Sequence, residues 1–187
     1  MAEIFAWFAV HFDLPILDWI AANLRCAFLD TVMPVITVLG DAGIFWIALS
    51  AVFLLIPKYR KAGLSMGIAL LIGFIVCNLT LKELCGRIRP YDFADKAMQL
   101  LIATPDDPSF PSGHTIASIE AATALAIHDK KLGIPALTLA GLIAFSRLYL
   151  YVHYPTDVIA SIGLGIGIAF FSCWLVKKIA AKTNFLQ

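Results

Sequence analysis

Three long runs without a charged residue constrain how this chain can fold. They cover Ala42 to Pro57, Ala62 to Leu81 and Val158 to Val176. A helix needs about 20 mainly apolar residues to cross the hydrocarbon core of a membrane. Because the whole chain is also 60% hydrophobic and 14% charged, the runs indicate an integral membrane protein.

Two further apolar segments are each interrupted by one charged residue. Ser112 to Ile127 contains Glu120, and Leu132 to Tyr151 contains Arg147. Both segments are long enough to span if these side chains face the protein interior. We therefore predict an all-α, polytopic membrane helical bundle with about five transmembrane helices. We expect Glu120 to be a buried structural residue that forms hydrogen bonds.

The first forty residues fit a transmembrane helix less well. Charged residues recur among Phe, Trp, Ile and Leu every few positions, at Glu3, Asp13, Asp18, Arg25 and Asp30. This pattern predicts amphipathic helices that lie at the membrane surface. We expect one membrane-embedded domain over residues 1–187, with surface helices at 1–40 and a transmembrane core at 41–187.

The distribution of lysine and arginine predicts the orientation of the core. Basic residues are retained on the cytoplasmic side of a membrane. If five spans alternate, one face collects three basic groups: Lys58, Arg60 and Lys61; Lys130 and Lys131; Lys177, Lys178 and Lys182. That face is predicted to be cytoplasmic. The opposite face is then extracytoplasmic, and three polar motifs between Lys82 and Asp157 lie on that face of the cell membrane.

Composition also argues against several classes of partner. A net charge of +1 gives no basic footprint for nucleic acid. The four cysteines lack a C-x-x-C spacing and are expected to be inert. The carboxylates do not cluster in a way that suits a divalent cation. We therefore expect no nucleic-acid partner, no metal and no other cofactor.

The first polar motif is Lys82 with Arg89-Pro90, seven positions further on. At about 100° per residue this spacing returns to nearly the same helical face, so both cations can reach one anion. Pro90 ends or kinks the helix. The alternative is that Lys82, Arg87 and Arg89 are interfacial residues at the end of a span.

The second motif, Pro111-Ser112-Gly113-His114, has the features of a helix start. Ser112 is a candidate cap, and the free N–H groups that follow it attract anions. Gly113 allows close approach of a ligand, and His114 can donate a proton to a departing oxygen. An ordinary capped helix with an interfacial histidine remains the alternative.

The third motif combines Arg147, His153 and Asp157. Arg147 lies within an apolar span, where a cation is unfavourable unless it meets an anion. Pro155 suits the first helical turn and lets Asp157 reach back towards His153. Such a pair leaves the other imidazole nitrogen as a nucleophile or base. The alternative is a turn in which Asp157 complements the helix dipole.

In their spacing, the three motifs resemble the signature of the type 2 phosphatidic acid phosphatases, which are membrane lipid phosphate phosphatases related to vanadium haloperoxidases. That signature reads K-x6-R-P, P-S-G-H and S-R-x5-H-x3-D, and every position is matched here between Lys82 and Asp157. Bacterial members commonly have six spans, whereas the surface helices predicted here replace the first. The resemblance extends from about Asp41 to the C-terminus.

The resemblance implies a metal-free phosphatase that works through a phosphohistidine. His153 is then the nucleophile, Asp157 orients it, and His114 protonates the leaving oxygen. The phosphate-binding residues implied are Lys82, Arg89, Ser112, Gly113 and Arg147.

The substrate implied is a lipid phosphate or pyrophosphate, with undecaprenyl diphosphate as the first choice and phosphatidylglycerophosphate or phosphatidate next. A lipid phosphotransferase would use the same site, and a vanadium haloperoxidase would share the anion pocket but is large and soluble. A non-enzymatic transporter would use Arg147 and Glu120 as a substrate or proton path. A serine protease built on Ser112 and His114 is disfavoured, because residues two positions apart at a helix start cannot readily face each other.

Overall fold

The computed structural model of the protein describes residues 2–94 and 100–182, and long helices make up most of these ranges. The all-α prediction is confirmed for this part of the chain. Residues 95–99 lie outside the described ranges. The helices are α1 (Ala2–Asn23), α2 (Ala27–Val38), α3 (Ile44–Leu55), α4 (Arg60–Phe74), α5 (Pro90–Phe93), α6 (Gly113–His128), α7 (Lys130–Tyr149) and α8 (Pro155–Ala180).

Shorter segments link several of these helices. A π-helical stretch, Ala9–Asp13, lies inside α1 just before Pro15, whose missing N–H interrupts the regular pattern. Helix α4 runs on through a π-helical segment, Ile75–Leu81, and a final turn, Lys82–Cys85. This extension carries Lys82 to the end of the bundle where the other polar motifs lie.

Helix α6 is at the centre of the bundle and packs against α4, α7 and α8. Its alanines are small, so its neighbours approach closely, and the indole N–H of Trp46 donates to Ser118 Oγ at 2.9 Å. The buried core around α6 contains Trp46, Met66, Ala121, Ala122, Ala124, Leu125, Ile143 and Ala169. The helix that carries His114 is therefore held from several sides.

Local sequence signals explain where three helices begin. Ser112 Oγ accepts a hydrogen bond from the Thr115 amide at the start of α6. Asp129 does the same for Lys131 and Leu132 in α7, and Pro155 occupies the first turn of α8. A side-chain cap typically contributes about 1 kcal/mol. These starts place the second motif, and Asp157 of the third, at helix N-termini as predicted, whereas Arg147 lies in the last turn of α7.

The candidate spans agree with a multi-pass membrane protein but differ in detail from the predicted set. Helices α1, α7, α8 and the stretch Pro57–Phe93 are long and apolar enough to cross a membrane. The pair α2 and α3, bent by 42°, qualifies together as a fifth. Helix α6 has 16 residues, about 24 Å at 1.5 Å per residue, and is enclosed by its neighbours.

Helix α1 departs most from the prediction of surface helices. It is 22 residues long and meets the length and hydropathy requirements of a span. Two of its acids point into the protein: Asp13 is fully buried, and Asp18 accepts a hydrogen bond from the Tyr151 hydroxyl at 2.8 Å. The charges that suggested a water-facing surface are therefore used for contacts within the protein.

The two ends of the bundle differ in character. Lys61 lies at the start of α4, and Lys82 lies 21 positions later on the same run of helix, a separation of about 30 Å at 1.5 Å per residue. Lys61, His128 and Lys177 line one cavity at the first end. The basic groups predicted to be cytoplasmic thus meet far from the polar motifs.

The close crossing of α6 and α7 gives a prediction for stability. A methyl group on Gly133 would lie 2.1 Å from the Cα of Ala126, whereas one on Gly141, in the same helix, meets nothing within 4 Å. We expect Gly133→Ala to destabilise the protein by about 1 to 3 kcal/mol. Gly141→Ala is the matched control. Thermal unfolding in detergent measures both, and equal melting temperatures would contradict the packing described.

Candidate active site

One cavity of about 960 Å³ brings together six of the eight predicted site residues. It reaches from the polar end of the bundle into the space between α3, α4 and α6. Its lining includes Lys82, Arg89, Gly113, His114, Arg147 and His153. Ser112 and Asp157 lie behind this lining and are fully buried. Side chains from three separate motifs therefore share one space.

Lys82 and Arg89 converge on the carboxylate of Asp107. The ammonium group of Lys82 donates to Asp107 Oδ2. Arg89 Nη2 donates to Oδ1 at 2.7 Å, and its Nε donates to the Asp107 carbonyl at 2.7 Å. The carboxylate oxygens stand in for the oxygens of an anionic ligand. The two cations thus contact one carboxylate, but not from one helical face as the spacing predicts. The helix that carries Lys82 ends at Cys85, and Arg89 has extended backbone just before α5. Pro90 begins that helix, so the prediction that it ends or kinks the helix of Lys82 is wrong.

The charge on Asp107 follows from these contacts. Partial burial raises the pKa of the Asp107 carboxyl, but hydrogen bonds and charge from Lys82 and Arg89 outweigh it and lower the pKa to about 2. The group is therefore ionised at neutral pH. It is also about half exposed, so it can leave the cations when a stronger anion arrives.

Arg147 is buried beside the same cavity without a carboxylate partner among residues 2–94 and 100–182. Its Nη1 donates to the Thr37 hydroxyl at 2.5 Å, and only 3% of its surface is exposed. A buried guanidinium with one neutral acceptor is strongly undercompensated. This is the kind of group that an incoming phosphate oxygen would stabilise.

His153 sits between the cations and Asp157. Arg89 Nη1 lies 3.3 Å from its Nε2, and Asp157 Oδ2 lies 3.6 Å from its Nδ1, too far for a hydrogen bond. Burial lowers the pKa of His153 well below its ordinary value, and the nearby Arg89 and Arg147 lower it further. The ring is therefore neutral, with Nε2 turned towards the cations.

Asp157 is held by groups other than the histidine. Its carboxylate accepts hydrogen bonds from Ser109 Oγ at 2.5 Å, Arg87 Nη1 at 2.5 Å and the Tyr154 amide at 3.0 Å. Sequence analysis places Arg87 at the interface and does not consider Ser109. Their contacts come from chain segments far from Asp157, which a local pattern does not reveal.

His114 has a partner that the sequence analysis missed. Its Nε2 lies 2.7 Å from Asp41 Oδ1, and its ring packs so closely on Gly40 that a Cβ there would meet Cδ2 at 2.7 Å. Asp41 follows Gly40 in the turn before α3. This contact fixes the orientation of the His114 ring beside the cavity.

Ser112 and Gly113 play different structural parts. The Ser112 hydroxyl accepts from Thr115 Oγ1 at 2.9 Å, and the Ser112 amide donates to Ser161 Oγ at 2.9 Å. Gly113 lines the cavity at the first position of α6. The helix start thus presents Gly113 to the cavity, with the Ser112 side chain turned into the fold.

The far part of the cavity is mostly apolar, with Ile47, Leu70, Leu71 and Phe74 in its lining. Glu120 lies there, 1% exposed, and neither carboxyl oxygen has a hydrogen-bond partner in the described part of the chain. The expectation of a hydrogen-bonded Glu120 is therefore not met among those residues. Its carboxyl group packs directly on Gly73.

Carboxylate, thiol and imidazole groups are dispersed around the site. Across residues 2–94 and 100–182, no group of three or more His, Cys, Asp or Glu side chains is arranged to hold a metal ion. The cavity lining carries three cations, Lys82, Arg89 and Arg147, and three acids, Asp41, Asp107 and Glu120. The three cations are grouped at the polar end of the bundle, an arrangement that suits an anion.

Comparisons with known proteins agree with this geometry. The model of the PAP2 superfamily matches residues 58–180. An undecaprenyl-diphosphatase of Sulfolobus acidocaldarius is 36% identical over 140 residues, which cover 72% of this chain and 67% of that protein. The undecaprenyl-diphosphatase BcrC of Bacillus subtilis is 30% identical over 142 residues, covering 76% and 72%.

A solved structure is similar over nearly the whole chain. It is the PAP2-type phosphatidylglycerolphosphate phosphatase of Bacillus subtilis, with a TM-score of 0.70 and 27% identity, covering 99% of this chain and 96% of that one. The fold is that of a multi-pass membrane lipid phosphatase. The chain belongs to the PAP2 superfamily, and it is a hydrolase of phosphoric ester or anhydride bonds.

The contact of Asp107 with both cations gives a binding prediction. Asp107→Asn removes a charge that competes with an incoming anion, so we expect orthovanadate to bind about 2- to 5-fold more tightly, as for loss of a partly exposed ion pair. Asp106→Asn makes the same change in net charge at an exposed neighbour and is the control. Isothermal titration calorimetry measures both, and weaker binding by Asp107→Asn would show that Asp107 supports the site instead.

Proposed function

We propose that the protein hydrolyses the phosphate or pyrophosphate of a lipid through a phosphohistidine intermediate, and that undecaprenyl diphosphate is its substrate. The observation that carries this proposal is the shape and charge of one cavity. Lys82, Arg89, Arg147 and two histidines line one part of it, and the rest is mostly apolar apart from Glu120 and a few small polar side chains. A phosphate head with a hydrocarbon tail fits both parts at once.

His153 is the proposed nucleophile because its neutral Nε2 faces the anion-binding groups. Nε2 attacks phosphorus, a nitrogen–phosphorus bond forms, and the bond to the leaving oxygen breaks. The cations and the Gly113 amide, presented by the helix start that Ser112 caps, stabilise charge on the phosphoryl oxygens. Asp157 lies behind Nδ1 at 3.6 Å and offsets the positive charge that develops on the ring.

His114 is the proposed acid and base. It gives a proton to the leaving oxygen as that bond breaks, with Asp41 holding the imidazole in place at 2.7 Å. It then takes a proton from water, the water oxygen attacks phosphorus, and the bond to His153 breaks. Orthophosphate leaves and both histidines return to their starting states. This sequence calls on no metal ion.

Two lines of support favour undecaprenyl diphosphate. The relatives at 36% and 30% identity are named undecaprenyl-diphosphatases, and the apolar part of the cavity offers Ile47, Leu70 and Phe74 to a hydrocarbon tail. A tail buried there gains about 0.8 kcal/mol per methylene group relative to water. The phosphatidylglycerolphosphate phosphatase structure, similar over 99% of the chain, makes a phosphorylated glycerolipid the second candidate.

An assay of the purified protein in detergent tests the proposal. The panel is undecaprenyl diphosphate, phosphatidylglycerophosphate and phosphatidate, in excess chelator, with inorganic phosphate measured. We expect the highest kcat/KM with the diphosphate, loss of turnover to background in His153→Ala, and a fall of about 10² to 10⁴-fold in His114→Ala. Turnover by His153→Ala equal to wild type would refute the mechanism, and phosphate found on an added alcohol would indicate a phosphotransferase.

We also propose that the active site faces away from the cytoplasm. The support is the separation, about 30 Å along one run of helix, between the basic end at Lys61 and the anion-binding end at Lys82. Positive residues favour the cytoplasmic side. A substrate would then enter from the outer leaflet.

Cysteine labelling in intact cells tests this orientation. In a cysteine-free variant that keeps wild-type activity, Thr104→Cys lies at the active-site end and Lys130→Cys at the other, and both positions are exposed. We expect a membrane-impermeant maleimide to label the Thr104→Cys protein in intact cells and the Lys130→Cys protein only after lysis. The reverse pattern would invert the topology.

A further inference from the structure

Arg87 lies outside the signature motifs, yet it is buried between two carboxylates. Nη1 donates to Asp157 Oδ1 at 2.5 Å, and Nη2 donates to Asp13 Oδ2 at 2.7 Å. Its guanidinium carbon lies 3.8 Å from the centre of the Tyr154 ring and 4.8 Å from that of Phe5. The aromatic faces and the two acids fix the plane of the guanidinium group.

Asp13 ties this arginine to the N-terminal helix and to the start of α8. One carboxylate oxygen accepts from Arg87 and from Thr156 Oγ1 at 2.7 Å, and the other accepts from the Thr156 amide at 2.9 Å. All three side chains, of Asp13, Arg87 and Asp157, are buried to 4% exposure or less. Asp13 thus fixes the same turn that carries His153 and Asp157.

The charge balance of this group bears on His153. An arginine paired with Asp157 alone would cancel most of the negative charge behind the ring. Because Asp13 shares Arg87, the three residues together keep one net negative charge. In a medium of low dielectric, that charge acts on His153 over several ångströms.

We propose that Arg87 and Asp13 are positioning residues for the phosphoryl transfer, holding Asp157 behind His153 and setting how much negative charge it offers to the ring. This proposal rests on the proposed function, because it concerns the step in which His153 becomes positively charged. A single bond from nitrogen to phosphorus forms in that step, and the charge on the ring rises as it forms.

Four groups near His153 act in the opposite direction, and two of them, Arg89 and Lys82, are themselves paired with Asp107. Arg89, from the turn before α5, lies 3.3 Å from Nε2. Arg147 on α7, His114 on α6 and Lys82 at the end of α4 all disfavour a positive imidazole. Asp157 is the carboxylate at the back of the ring, 3.6 Å away, so its charge opposes that of all four.

Substitutions of Asp13 and of Arg87 should shift the pH dependence of kcat in opposite directions. Asp13→Asn removes negative charge, so protonation of His153 becomes harder and the acid limb of the pH profile of kcat moves to lower pH. Arg87→Met removes positive charge, so the limb moves to higher pH. Each shift is expected to be on the order of one pH unit, as for one charge several ångströms away at an effective dielectric constant of about 20.

Both substitutions should lower kcat by about 10-fold or more while KM stays within about twofold, because the phosphate-binding groups are untouched and the lost interaction acts in the transition state. Asp18→Asn is the matched control, because Asp18 lies on the same helix and accepts from Tyr151. It weakens helix docking without contacting Arg87, and we expect wild-type kcat and pH profile. If Arg87→Met does not fold, Arg87→Lys keeps the charge, loses the forked contact, and should lower kcat without moving the limb.

The results separate this inference from the proposed function. Wild-type turnover of a lipid phosphate with loss in His153→Ala supports the function, and a wild type without such turnover refutes the function itself. If the wild type is active, wild-type kcat in folded Asp13→Asn overturns the inference. Acid limbs that shift in the same direction in Asp13→Asn and Arg87→Met, or that do not shift, also overturn it. An equal loss of kcat in Asp18→Asn overturns it as well.

Discussion

Positive charge buried at one end of an apolar bundle is the constraint on which this structure depends. Three guanidinium groups, of Arg87, Arg89 and Arg147, are each exposed by 4% or less. Removing such charges from water is unfavourable unless anions or strong hydrogen bonds compensate them. Arg87 has two carboxylates and Arg89 has Asp107, whereas Arg147 has the Thr37 hydroxyl. Under the proposed function, this incomplete compensation is what favours a bound phosphate.

The same constraint explains how much of the site could be predicted. Lys82 and Arg89 were expected to share an anion because their spacing fits one helical face. Both contact Asp107, but Arg89 does so from beyond the helix end at Cys85. Within a motif, the chain itself fixes the distances, so spacing is informative. The placing of Lys82, Arg89, His114, Arg147 and His153 around one cavity follows from the family signature, because local periodicity carries no information about contacts between helices.

What could not be predicted lies in contacts between distant segments. Asp13 and Arg87 are 74 positions apart, and Asp41 and His114 are 73 positions apart. Helix α1 was expected at the surface because its acids recur among apolar residues, a pattern that assumes charges face water. Here Asp13 and Asp18 face a cation and hydroxyl groups inside the protein. The fold class needed only the uncharged runs, and it was confirmed.

The carboxylate of Asp107 is tethered to the chain, so dilution never removes it from Lys82 and Arg89. Any dissolved anion must displace a competitor whose local concentration is fixed by a short stretch of backbone. Free phosphate competes for the two cations through its charge alone, whereas a phosphorylated lipid also gains free energy from burial of its tail. Under the proposed function, this internal competitor disfavours abundant small ions relative to membrane-bound phosphates, and its return to the cations after turnover helps to release the inorganic product.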